Sequence, residues 1–127
     1  MSAKPTFEQA QLHLQVYDQR REARLRQARD WFFKNYFADN WGDAMRMAAP
    51  GTEGGTNFMM VVGYWEQACA LLNYGLLHDD LFFETSGEFF GVWERIKPTW
   101  TSELMAWGAA SWPTMWPVGE ASTTTRS

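Results

Sequence analysis

Apolar residues in the middle of the chain recur at the spacing of an α-helix. From residue 58 they step four, three, four, three and four positions along one face: Phe58, Val62, Trp65, Cys69, Leu72 and Leu76. A neighbouring face is apolar as well, so only a narrow polar strip remains. A helix with so little polar surface packs against neighbours on at least two sides. The pattern therefore predicts a central helix that begins with a cap at Thr56 or Asn57 and ends at Gly75.

A second helix is predicted after the short turn GLLHDD, beginning at Asp79 or Asp80 and ended by Pro98. Its predicted buried seam consists of Phe82, Thr85, Phe89, Val92 and Ile96. A separate strip is predicted to face solvent and consists of Glu84, Glu88, Gly91 and Arg95. Because the turn is short, we expect the two helices to be antiparallel neighbours.

A third helical pattern starts at Pro5 and Thr6, where Gln9 completes a capping box, and runs to about Phe37, with or without a bend. Its two ends carry apolar stripes, whereas the stretch between them, DQRREARLRQARD, is charged nearly all round. A helix of this length is long for a small domain. We therefore expect its N-terminal part to overhang the body and to suit a partner subunit.

The remaining segments are short. A helix is predicted over Trp41–Ala48, followed by a flexible glycine-rich loop at 50–55, and another helix over SELMAWGAA after Thr101 or Ser102. The segment SWPTMWPV is predicted to be irregular, because a proline disfavours helix for the residue before it. Residues 119–127 are predicted to be a disordered tail.

No segment alternates like a strand, so the predicted fold class is all-α. We expect one small helical bundle over residues 1–118. It consists of a long N-terminal helix, a central antiparallel helix pair and an irregular Trp/Pro-rich C-terminal segment.

Two stretches give the chain a family resemblance: RREARLRQARDWFFKNYF and YWEQACALLNYGLLHDDLFFETSGEFFGVWERIKP. Over roughly residues 17–98 they resemble the bacterial family known as domain of unknown function 4760. The shared features are an Arg- and Ala-rich helix, an aromatic-Glu helix that ends in GLL, an acidic cap, and a helix that ends in Trp-Glu-Arg before a proline. The resemblance implies a small helical domain and supplies no activity.

Composition narrows the function classes further. The chain has 127 residues, a formal net charge of −4 and one cysteine. The negative charge disfavours a nucleic-acid partner, and a single cysteine excludes an internal disulfide and a multi-cysteine zinc site. The N-terminal residues lack the apolar run of a signal peptide, so we expect a cytoplasmic protein. Residues 58–77 are long enough to span a bilayer, but Glu66 near their middle favours a buried helix in a globular fold.

The sequence GYWE at 63–66 returns as GVWE at 91–94 and offers two carboxylates, Glu66 and Glu94. A di-metal bundle would also need Glu-x-x-His elements, but Cys69 and Lys97 stand at the histidine positions. We therefore expect no metal and no cofactor. An enzymatic or small-molecule pocket that uses Glu66 or Glu94 stays open as the alternative. The favoured interpretation places each tryptophan in the core and each glutamate at its edge, and it assigns Cys69 to core packing.

Two features suggest an interaction surface. Arg20, Arg21 and Arg24 belong to a row of five arginines that is interleaved with acids, which is typical of a solvated helix face or of a site for an acidic protein. Trp107, Trp112 and Trp116 sit on the Trp-Pro segment, where they either cover the bundle or contact a partner. The leading hypothesis is a non-catalytic module for protein interaction or self-association. Peripheral membrane contact through the Trp-Pro segment is a weaker alternative.

Overall fold

The computed structural model describes residues 3–100 and 115–126 of the chain. Within these residues the chain forms helices and no strand, so the all-α prediction is confirmed. In chain order the elements are α1 (Phe7–Asp18), a 3₁₀ turn (Gln19–Arg21), α2 (Ala23–Asn35), α3 (Trp41–Ala48), α4 (Glu53–Asn73), α5 (Asp79–Thr85), α6 (Gly87–Trp100) and α7 (Met115–Arg126).

The predicted long N-terminal helix is divided into two. It begins as expected, with the reciprocal capping box between Thr6 and Gln9. It breaks at Glu22, whose backbone is extended and whose carboxylate accepts hydrogen bonds from the N–H groups of Arg24 (3.0 Å) and Leu25 (2.8 Å). These bonds lower the pKa of the Glu22 carboxyl and open α2 with a side-chain cap.

α1 packs on the bundle along its length, so the predicted overhang is wrong. At its start, the Gln9 amide donates to the carbonyl of Gly75 at 3.3 Å. Near its end, the hydroxyl of Tyr64 donates to the carbonyl of Val16 at 2.7 Å. The 3₁₀ turn and the extended backbone of Glu22 separate α1 from α2.

α4 is the central helix, as predicted, and its most extensive contact is with α2. The two run antiparallel, because Trp31 of α2 lies against Gly54 at one end of α4 while Gln67 donates to Gln19 near the other end. The start of α4 was predicted too late: Thr52 caps it by accepting from the N–H of Gly55 at 3.0 Å. Gly55 is helical rather than in a loop, and glycine is needed there because a Cβ would strike the carbonyl of Ala49.

Aromatic rings fill the interior between these helices. At one end of α4, Phe58 packs on Tyr36 with ring centroids 5.0 Å apart, and Tyr36 stacks on Phe32 at 5.1 Å. Towards the middle, Trp65 meets Phe89 at 5.5 Å. Burial of a large apolar side chain contributes about 1.5–3 kcal/mol, and offset or tilted rings add somewhat more. These clusters therefore hold the bundle together.

The predicted helix from residue 79 to Pro98 is also divided, at Ser86. The Thr85 hydroxyl closes α5 by donating to the Leu81 carbonyl at 2.8 Å, and the N–H of Phe89 starts the next turn by donating to the Ser86 carbonyl at 3.0 Å. Of the predicted seam, Phe82, Phe89, Val92 and Ile96 are buried, whereas Thr85 is exposed.

Arg95, predicted to face solvent, instead holds the end of α2. Its guanidinium donates to the carbonyls of Tyr36 (3.0 Å), Phe33 (3.2 Å) and Phe32 (3.3 Å), and it lies 4.1 Å from the ring centroid of Phe37. The last carbonyls of a helix have no partner within it. A cation there satisfies them and complements the helix dipole.

A helix, α7, occupies residues 115–126, where the sequence predicts irregular chain and then a disordered tail. Pro117 stands in its first turn, where the missing N–H costs no hydrogen bond. Met115 and Val118 are buried, and Gly119 lies against the indole of Trp93 so closely that a Cβ would overlap the ring. The predicted irregularity rested on the prolines alone and ignored their tolerance at a helix start.

Candidate functional site

A partly buried cluster of three charges joins the 3₁₀ turn, α2 and α6. The Glu88 carboxylate accepts from Arg29 at 2.6 Å and 2.9 Å and from Arg20 at 2.8 Å. Arg29 also donates to the carbonyl of Arg20 at 3.1 Å. The three side chains are 15–22% exposed. One carboxylate thus fixes the helix break at residue 20 to the first turn of α6.

Glu88 was predicted to face solvent, and this is wrong. Burial alone would raise the pKa of its carboxyl, but the hydrogen bond from Arg29 and the charges of both arginines outweigh that effect and lower the pKa below its usual value. The carboxylate is therefore ionised at neutral pH. The sequence contains no signal for this contact, because the two partners lie 59 and 68 residues away.

Tyrosines border the charged cluster. The Arg20 guanidinium lies 4.6 Å from the ring centroid of Tyr17, a cation–π contact. Burial raises the pKa of Tyr64 to about 12, so its hydroxyl stays protonated and can donate to Val16. The contacts of Tyr17 and Tyr64 attach α1 to the charged cluster and to α4.

A second feature is an apolar stripe on the outer face of α1, which we call the α1 stripe. It consists of Phe7, Ala10, Leu14 and Tyr17. Phe7 is 74% exposed, Leu14 66% and Tyr17 45%. Their spacing of three, four and three residues is that of the a and d positions of a heptad. The opposite side of the same helix, with His13 and Val16, faces the core.

The α1 stripe was not predicted, although its spacing is visible in the sequence. The apolar stripe predicted for the start of the first helix is the face with Leu12 and Val16, which lies on the bundle. Phe7, Leu14 and Tyr17 belong to a second face, about half a turn away. An amphipathic helix in a monomer needs one apolar face, so a second one indicates another contact.

The predicted interaction residues lie in several environments. Arg20 is bound to Glu88, as described. Arg21 is exposed and pairs with Asp18 at 3.3 Å. Arg24 is half-buried, and its Nη1 has no hydrogen-bond partner among the residues described. Trp107 and Trp112 lie outside the described residues, and Trp116 belongs to α7.

The two glutamates of the repeated motif lie in different surroundings. Trp65 and Trp93 are both buried, as predicted. Burial raises the pKa of Glu66, whereas Glu94 is exposed and pairs with Lys97 at 3.1 Å. Cys69 is fully buried, and burial raises the pKa of its thiol far above the usual range.

A wide cleft of about 670 Å³ lies between the N-terminal residues, the turn after α4, and α7. Neither Glu66 nor Glu94 lines it. His78 does, and its side chain stands near Asp79 and Asp80. Both ring nitrogens of His78 serve the fold: Nδ1 accepts from the N–H of Leu81 at 3.3 Å, and Nε2 contacts the carbonyl of Ala3.

His13 also serves the fold. The Thr85 hydroxyl gives its proton to Leu81, so it accepts at 3.1 Å from the ring N–H at Nε2 of His13. Burial lowers the pKa of His13, which keeps the ring neutral.

One of three comparisons with known proteins finds a match. A family model described as a domain of unknown function, DUF4760, matches residues 5–103. The match includes α1 and is longer than the stretch on which the resemblance rested. Searches of curated proteins and of solved structures find no match. Within the described ranges, 3–100 and 115–126, no helix has both the length and the apolar character needed to cross a bilayer.

Proposed function

The chain belongs to the DUF4760 family. We propose that it is a non-catalytic helical module and that it associates with a second copy of itself through the α1 stripe. The observation that carries the proposal is the exposed a–d seam of Phe7, Leu14 and Tyr17 on a helix whose other face is already packed. Large apolar side chains clustered on a surface are typical of an interface.

The groups that could support chemistry favour the same proposal. Cys69 is buried as a neutral thiol. His13 and His78 are hydrogen-bonded within the fold. Glu88, the carboxylate of the charged cluster, is neutralised by two arginines. Each of these side chains has a structural role that accounts for its position.

An antiparallel pairing of α1 with the α1 of a second copy suits the sizes of the stripe residues. In that arrangement Phe7 faces Tyr17 of the other copy, and the small Ala10 faces the larger Leu14. A parallel pairing would set Ala10 against Ala10 and leave a gap. Antiparallel helices also align their dipoles favourably, and a two-fold axis across the helix makes the interface self-complementary.

The contact is short, so we expect modest affinity. α1 has twelve residues, about 18 Å of helix. Stable interfaces bury about 800 Å² on each partner, more than one such helix face supplies. A dissociation constant of about 1–100 µM is expected for a contact of this size, at the weak end of specific complexes.

Sedimentation velocity or light scattering over a concentration series tests the proposal. The mass is expected to rise from that of the 14.7 kDa chain towards twice that value as concentration increases. Leu14→Lys places a charge in the seam and should abolish the rise. Gln15→Lys, on the same helix but off the stripe, is the matched control and should behave like the unmodified chain. A monomer at every concentration, or equal behaviour of the two variants, would contradict the proposal.

Cross-linking tests the antiparallel arrangement separately. With a short bismaleimide, Gln11→Cys should cross-link to its copy, because position 11 lies close to the two-fold axis. Asp18→Cys should not, because the two copies of position 18 would be about 18 Å apart along the axis. Equal cross-linking at both positions would indicate a parallel pair.

A further inference from the structure

A small, partly open cavity lies where the two helix breaks meet. Its volume is about 10 Å³. Arg20, from the 3₁₀ turn, and Ser86, from the break between α5 and α6, both line it, together with Trp65 from the centre of α4. A cavity of this size is about the minimum that holds one water molecule.

Two residues of the lining carry a buried donor that has no hydrogen-bond partner in residues 3–100 or 115–126. One is the indole N–H of Trp65, a residue that is 2% exposed, and the other is the Nε–H of Arg20. Ser86, a half-buried residue of the same lining, adds a hydroxyl. Leaving a buried donor unsatisfied costs about 1–3 kcal/mol, so two such donors on residues of one cavity indicate a common ligand.

We propose that this cavity is a binding site for one water molecule, which accepts from Trp65 Nε1 and Arg20 Nε and donates to Ser86 Oγ. Three hydrogen bonds are typical of a buried structural water. The water joins the 3₁₀ turn, α4 and the α5–α6 break through one point. It therefore fixes the two interruptions of the helical pattern relative to the central helix.

The surrounding charge favours a neutral ligand over an anion. Two N–H donors could also hold a halide, and Arg20 carries a positive charge. However, the Nη2 of Arg20 already donates to Glu88 at 2.8 Å, and the Glu88 carboxylate is ionised. An anion in the cavity would be repelled by that carboxylate and would need more space than a single water.

A crystal structure at about 1.5 Å tests the site directly. It is expected to show an ordered oxygen within about 2.7–3.2 Å of Trp65 Nε1, Arg20 Nε and Ser86 Oγ. A crystal soaked in bromide is expected to show no anomalous peak there. Either a bromide peak in the cavity, or an indole N–H of Trp65 bonded to another protein atom, would overturn the proposal.

Solution NMR adds a test that depends on residence time. In protein with ¹⁵N-labelled tryptophan, the indole proton of Trp65 is expected to show a cross-peak to a long-lived water. Ser86→Ala removes one of the three anchors and should abolish that cross-peak, while Thr56→Ala, which removes an exposed hydroxyl on α4, should leave it unchanged. A cross-peak that survives Ser86→Ala at full intensity would overturn the three-partner site.

Discussion

Glu88→Gln removes the negative charge that holds two arginines inside the fold. The glutamine amide keeps the size of the side chain but cannot compensate Arg20 and Arg29, which are only 16% and 22% exposed. Removing one partner of a buried ion pair costs about 3–5 kcal/mol. Because water still reaches these side chains, we expect the lower end, a loss of about 3 kcal/mol in the free energy of unfolding. For a domain of this size that corresponds to a fall in Tm of about 10 °C.

The pH dependence of this loss identifies its cause. The pKa of the Glu88 carboxyl is lowered in the folded state from its ordinary value of 4.5. The stability that it contributes is therefore fully present above pH 4.5 and is lost as the pH falls towards the lowered pKa. Above pH 5 the difference between the unmodified chain and Glu88→Gln should be constant, and below pH 4.5 it should shrink.

Urea unfolding followed by circular dichroism between pH 3 and pH 7 measures both effects. Glu84→Gln is the matched control, since Glu84 is exposed near the end of α5, four residues before Glu88. It should change the free energy by less than about 0.5 kcal/mol. The reasoning is refuted if Glu88→Gln is as stable as Glu84→Gln at pH 7, or if its deficit does not diminish in acid.

Two other positions give sharp expectations. Gly119→Ala drives a methyl group into the indole of Trp93 and should lower the free energy of unfolding by about 1–3 kcal/mol. Gly63→Ala is the control, at an exposed helical site with open space around the Cβ, and it should be neutral or stabilising. Equal urea midpoints for Gly119→Ala and Gly63→Ala would contradict the docking of α7. Cys69 should resist a thiol reagent such as DTNB in the folded protein, because the thiol is buried and its pKa is raised, and should react at once in denaturant. Rapid labelling under native conditions would show that α4 opens or is packed differently.

Local patterns predicted much of the fold. The apolar spacing around Trp65 located the central helix, and the capping box at Thr6 located the start of α1. Trp41–Ala48 was predicted with the bounds that the structure has, because a capping residue, Asn40, precedes it and Pro50 follows it. These features depend on neighbours within a few residues, which is the range over which sequence patterns carry information.

The differences arise where a distant contact decides the local conformation. Glycines 54 and 55 indicated a loop, yet they lie in α4, and they are glycines because the carbonyls of Met47 and Ala49 leave no room for a side chain. The apolar pattern after residue 79 predicted one continuous helix, whereas the structure divides it at Ser86 into α5 and α6. Glu88 and Arg95 fall on a polar strip and were assigned to solvent, whereas both find partners on α2. Helical periodicity separates polar from apolar positions, but it does not distinguish a solvent-facing charge from one that meets an opposite charge on another helix.

The two faces of α1 are subject to different structural constraints. Gln9, His13 and Val16 tie α1 to the bundle, while Phe7 and Leu14 contribute little to that attachment because they are largely exposed. Substitutions at Phe7 and Leu14 are thus nearly free of folding constraint. Partner choice can therefore change on this face without a change in the scaffold, so foldability and recognition can evolve separately on a single helix.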